Sequence, residues 1–142
     1  MLLNYTTKVE ASKTVAEIQA ILLAHGARNF SINYDTAGFV ESMLFRIPRP
    51  EGEIIVKLPV NWEAVLKVLE RQRVRAYVDK AQAIRVAWRI LKDWVEAQMA
   101  ILETEMVRLE QIFLPYMMAN DKQTFFEVMR ENKFLLKSWN DR

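Results

Sequence analysis

The 142-residue sequence contains no cysteine and a single histidine, His25. It therefore has no disulfide, no Cys or Cys/His zinc site and no cysteine nucleophile. A Ser-His-acid triad would have to use His25. That residue precedes Gly26 at the end of an apolar helical run, an ordinary helix-end position. Glycine is almost as scarce. Gly26, Gly38 and Gly52 are too few and too widely spaced for a phosphate-binding glycine loop. No stretch reaches the ~18 apolar residues of a membrane span, and Leu2-Leu3 is too short for a signal-peptide core. A cytoplasmic protein with no membrane partner and no cofactor is expected. Half of the residues are apolar (51%) and 27% are charged, with a net charge of +2. That balance argues against disorder and for one folded unit over 1–142.

The periodicities predict an α+β fold in the order β-α-β-β-β, followed by helices. Residues 1–59 form a sheet layer with one helix, and residues 60–142 a helical layer. Asn4 to Val9 alternates and reads as a strand. Thr14 and Glu17 have capping-box spacing before a helix whose apolar face is Val15, Ile18, Ile21 and Leu22. Arg28–Tyr34, Phe39–Ile47 and Glu53–Leu58 read as three further strands, giving an antiparallel sheet of about four. Turns are expected at residues 35–38 and at the Pro48-Arg49-Pro50 segment. Asn61 is a fair N-cap for a helix running to about Gln72. Asp79, with Gln82 three residues on, opens a long central helix. It reaches toward Phe113, with a kink expected near Thr104–Val107. Asp121 to Lys133 reads as the last helix. Its apolar neighbours Phe125, Phe126, Phe134, Leu135, Leu136 and Trp139 either dock on the domain or form a dimer contact. Both readings are open, and a homo-oligomer is expected.

Charge is unevenly laid out. Lys67 to Lys92 holds eight bases against Glu70 and Asp79, a balance of +6. Asp93 to Glu110 holds five acids against Arg108, a balance of −4. On the long helix the order Arg85, Arg89, Lys92, Glu96, Glu103 opposes the helix dipole, which favours acids first and bases last. Helix stability alone does not account for that order. Two readings of the basic residues stand side by side. Arg71, Arg73 and Arg75, with Arg85, Arg89, Lys92 and Tyr77, suit a phosphate-bearing ligand, because guanidinium matches phosphate oxygens in pairs. Equally, the arginines suit a solvated turn at a helix C-terminus. Trp88 and Trp94 lie on apolar stripes and read as core. Tyr34, Tyr77 and Tyr116 are available to line a pocket. No serine, threonine or lysine has a recognisable activating partner. A non-enzyme is therefore expected, with an acid-cluster enzyme using Asp93, Glu96 or Glu103 as the weaker reading. No metal site is expected.

The opening Asn4-Tyr5-Thr6-Thr7, the run Val86-Ala87-Trp88-Arg89-Ile90-Leu91-Lys92-Asp93-Trp94-Val95-Glu96-Ala97-Gln98, and Phe113-Leu114-Pro115-Tyr116 together resemble small phage and prophage-type accessory proteins. The resemblance spans most of the chain and carries no decoded motif. It implies a mobile-element setting and a binding role toward nucleic acid, a nucleotide signal used in host defence, or a host protein. Two functions follow as expectations. One is binding, and sequestering, an anionic phosphate-bearing ligand, either nucleic acid or nucleotide. The other is a protein-interaction module or homo-oligomer that inhibits or adapts a host protein.

Overall fold

The computed structural model describes residues 1–135. Leu136 and Trp139, part of the expected tail contact, lie outside the described residues. Within them the fold is α+β, with a three-stranded antiparallel sheet and five α-helices.

Helix α1 (Ala11–Ala24) buries Val15, Ile18 and Leu22, as its periodicity predicts. Its start differs from the capping-box reading. The amides of Lys13 and Thr14 already bond the Glu10 carbonyl, at 3.1 and 3.2 Å. Thr14 is thus inside the helix and fully buried, and it caps nothing. Glu17, freed from any capping role, turns toward another helix. Gly26 closes α1 with φ +101°, a conformation that L side chains rarely adopt.

Strands β1 (Arg28–Tyr34), β2 (Val40–Arg49) and β3 (Gly52–Lys57) form the sheet in sequence order. Met43, Phe45 and Ile47 of β2 are fully buried. Asn33 pairs with Ser42 while Tyr34 pairs with Val40, so Glu41 is an extra residue in the ladder. This bulge shifts the phase by one and turns Val40 inward, in place of the expected Phe39. β2 also runs through Pro48, which the sequence reading placed in a turn. Pro48 pairs only with Glu53 of β3, because pairing with β1 ends at Arg46. The missing amide is tolerated where one side of the strand is unpaired.

The expected strand at Asn4–Val9 is not formed, so the sheet has three strands and not four. Residues 2–7 make tight turns, with Asn4 at φ 63°. The Tyr5 and Thr7 carbonyls accept from the Gln82 side chain at 2.8 and 2.9 Å. A helix side chain, not a neighbouring strand, satisfies this backbone. Among the described residues the far edge of β3 receives one bridge, Val56 to Met117, together with a bond from the Met118 amide to the Ile55 carbonyl at 2.8 Å.

Helix α2 (Trp62–Gln72) is capped by Asn61, whose side chain accepts from the Ala64 amide. After a short 3-10 turn at Arg75–Tyr77 comes α3 (Lys80–Glu103), capped by Asp79 on the Gln82 amide at 2.7 Å. At 24 residues α3 is about 36 Å long. It stops well short of Phe113. Thr104 ends it, Glu105 enters the left-handed region, and a separate α4 (Leu109–Phe113) follows. The continuous helix toward Phe113 is therefore corrected to a helix, a break and a short helix, with the break falling where the kink near Thr104–Val107 is expected. α3 packs against both α1 and α2. Trp88, fully buried, ties it to the sheet by donating to the Val40 carbonyl at 3.4 Å. Phe45 of β2 meets Phe113 edge-on at 5.4 Å, so one core draws on both halves of the chain. The last described helix, α5 (Phe125–Glu131), begins four residues later than the Asp121 start expected for it. The Thr124 side chain caps the Glu127 amide, and Glu127 reaches back to the Thr124 amide.

Candidate functional site

The basic half of α3 faces α1. Arg89 Nη1 lies 3.0 Å from Glu17 Oε2, and Lys92 Nζ lies 3.4 Å from the same oxygen. Lys92 also bonds Glu96. Further along, His25 Nε2 at the end of α1 meets Glu103 Oε1 at 3.1 Å. The two helices run in the same direction, so bases midway along α3 meet the acid midway along α1, and Glu103 meets His25 at their ends. This inter-helix pairing is the reason for a charge order that the helix dipole opposes.

The Glu17 carboxyl feels burial, which raises its pKa, but hydrogen bonds and charge from Arg89 and Lys92 outweigh it and hold it below the ordinary 4.5. The Lys92 ammonium is held above its ordinary 10.5, chiefly by its bond to Glu96. Arg89 and Lys92, expected to meet a ligand, are thus engaged with carboxylates. Arg85 is bound differently: Nε and Nη2 both donate to Gln82 Oε1, at 3.0 and 2.7 Å. It has no carboxylate within ion-pair distance among the described residues.

The α2–α3 connection is different again. Arg71, Arg73 and Arg75 are all exposed, and none has an ion-pair partner among the described residues. Arg73 ends α2 in the left-handed conformation, φ 61° and ψ 27°, a place that glycine fills with least strain. Such a conformation costs a non-glycine residue on the order of 1 kcal/mol. Tyr77 is half-buried and packs edge-on against Tyr5 at 5.5 Å. None of five concavities on the surface is lined by these arginines. The basic turn is an exposed surface that lines none of these five.

The acids of α3 are separately occupied. Asp93 accepts from Asn4 Nδ2 at 2.7 Å, Glu96 from Lys92, and Glu103 faces His25. Among the described residues no group of three or more acidic or histidine side chains is placed to hold a metal ion. No helix among them is long and apolar enough to cross a membrane. Of the tyrosines, Tyr34 is exposed, while Tyr116 lines two adjoining concavities.

Two positions escaped the sequence reading. Glu17 was assigned to a cap, and Gln82 to the N3 position of another. Gln82 is 4% exposed and gathers the N-terminal segment and Arg85 on one side chain. Nothing in local spacing distinguishes such a residue from a cap partner.

No protein-family model matches the chain, and comparison with curated proteins and with solved structures gives no match.

Proposed function

We propose that the protein is a non-enzymatic, phosphate-binding accessory protein of the cytoplasm, whose partner is nucleic acid. Arg71, Arg73 and Arg75 make the primary contacts, with Arg85 and Tyr77 on the α3 side of the turn. The supporting observation is the set of three exposed arginines without a carboxylate partner, one of them in a left-handed conformation. Backbone strain retained in a charged turn is an argument for a binding role. Arg89 and Lys92 are removed from the primary set, because Glu17 and Glu96 already occupy them. Exposed arginines that line none of the five concavities favour an extended phosphate backbone over an enclosed nucleotide, which takes a concave site.

Fluorescence anisotropy with labelled single- and double-stranded oligonucleotides at low salt tests this reading. Binding that weakens steeply with salt, and is weakened in Arg71→Gln/Arg73→Gln/Arg75→Gln, is expected. Absence of binding to both forms at low salt refutes it. A nucleotide and cyclic-dinucleotide thermal-shift panel decides the small-ligand version, since a ligand raises the melting temperature by mass action.

A second reading rests on a different observation. Phe125, Phe126, Phe134 and Leu135 are exposed by 42–67% around α5. Such a patch supports a protein-interaction module or homo-oligomer that adapts or inhibits a host protein. Molecular mass in solution, with and without Phe126→Ser, tests the homo-oligomer.

A further inference from the structure

A groove at the opposite end of α2 from the arginine turn joins two concavities. They share Pro59, Val60, Asn61 and Tyr116. The first, about 290 Å3, is otherwise walled by apolar side chains, among them Val65, Ile90, Leu91 and Trp94. The second, about 530 Å3, is lined by Lys57, Arg130, Phe126 and Glu127. One end is apolar and aromatic, and the other is cationic.

Hydrogen bonds from the Thr124 amide and hydroxyl, and then the charges of Lys57 and Arg130, hold the Glu127 carboxyl below its ordinary 4.5, so this acid offsets the two cations in part. Neither Lys57 nor Arg130 has an ion-pair partner among the described residues. Arg130 lies instead over the Phe126 ring, 5.8 Å from its centroid. Glu127 is the acid there, and its Oε1 is committed to the Thr124 amide and hydroxyl, both at 3.1 Å. Two cations against one engaged carboxylate leave the chamber net positive. Two polar groups sit at the junction. Asn61 uses its oxygen to cap α2, while its amide nitrogen and the Tyr116 hydroxyl have no hydrogen-bond partner among the described residues. At the apolar end, Trp94 and Tyr116 meet edge-on, 5.7 Å between centroids and 87° between planes. Aromatic rings in that arrangement favour a further ring stacked or set on edge. Ligand sites combine an apolar wall with a few convergent polar groups in this way.

We propose that this groove binds a small aromatic oxyanion. Its aryl body seats against Trp94 and Tyr116, and its carboxylate or phosphate head reaches Lys57, Arg130 and the Asn61 amide. The site is independent of the arginine turn. About 16 Å of helix, the 11 residues of α2, separates Asn61 from that turn.

The test is an NMR titration of the full chain with 2-naphthoate and with 1-naphthyl phosphate, the two head groups, and with 2-naphthalenemethanol as the uncharged body. Saturable shifts of the Trp94 indole N–H and the Tyr116 ring are expected with at least one anion. Binding is expected to weaken about tenfold or more for the alcohol and for Lys57→Gln/Arg130→Gln. Both substituted residues are exposed, so the variant is expected to keep the parent melting temperature, which is measured alongside. The better of the two anions identifies the head group. The proposal is overturned if neither anion gives saturable shifts at these residues. It is equally overturned if the alcohol or the folded double variant binds as well as the parent binds the anions.

Discussion

Replacing Glu17 by Gln removes the carboxylate on which α1 and α3 converge. The Glu17, Arg89 and Lys92 side chains retain 31, 20 and 14% of their exposure, so the cluster is half-buried. Exposed ion pairs contribute about 0.2–1 kcal/mol. Hydrogen bonds to charged groups that water reaches poorly contribute about 1.5–3 kcal/mol. Glu17→Gln also leaves Arg89 and Lys92 as like charges three residues apart, unfavourable by about 0.2–0.5 kcal/mol. Lys92 keeps Glu96, which limits the damage. Together these give a loss of about 1–2 kcal/mol, or a fall in melting temperature of about 2–8 °C for a chain near this size. The assay is urea denaturation of the parent, Glu17→Gln, Arg89→Gln and the double variant. A coupling of about 1 kcal/mol between the two sites is expected. The sign with pH follows from a lowered carboxyl pKa. The contribution is complete above 4.5 and is lost as pH falls through the lower folded value, so the gap to Glu17→Gln closes in acid. Zero coupling, with Glu17→Gln as stable as the parent, would refute the reasoning and return the basic stripe of α3 to solvent.

Three further outcomes are expected. His25 Nδ1 faces the Ile21 carbonyl at 2.8 Å and Nε2 faces Glu103, so both ring nitrogens meet acceptors and the protonated ring is favoured. The Ile21 bond, opposed by burial and reinforced by Glu103, raises its pKa above 6.5. An NMR titration of this sole histidine should therefore have its midpoint above 6.5 and move down in Glu103→Gln; the stability it adds is complete below 6.5 and fades as pH rises through the raised value. Gln82→Leu should cost about 1–3 kcal/mol by stranding two carbonyls, and should speed hydrogen exchange in residues 2–9; unchanged exchange there contradicts the assigned role. Thr124→Ala should cost about 1 kcal/mol through the lost α5 cap, read as faster exchange at the Glu127 amide.

What was legible in the sequence was local. Asn61 and Asp79 cap their helices because a short polar side chain before an apolar period has one efficient use. The core face of β2 followed from alternation, and Glu41 broke the pattern because it is the bulged residue. What failed was decided by distant partners. Alternation at Asn4–Val9 resembles a strand, but its carbonyls are taken by Gln82 on α3. Thr14 and Glu17 have capping-box spacing, yet the helix had begun three residues earlier, and Glu17 answers to Arg89 and Lys92 some 70 residues on. The basic site divided along the same line. Composition alone identifies Arg71, Arg73 and Arg75 as a cationic turn, whereas only tertiary packing separates them from Arg89 and Lys92, which carry the same charge.

Salt dependence of nucleic-acid binding tests the central assignment most directly. The slope of log K against log salt counts the phosphates neutralised, at about 0.7 per contact on a single strand. Arg71→Gln/Arg73→Gln/Arg75→Gln should lower that slope by about 2 and weaken binding across sequences alike. Arg89→Gln should leave the slope unchanged. A slope that is the same in the triple variant and the parent, or that falls only with Arg89→Gln, would contradict a binding surface made by the turn between α2 and α3.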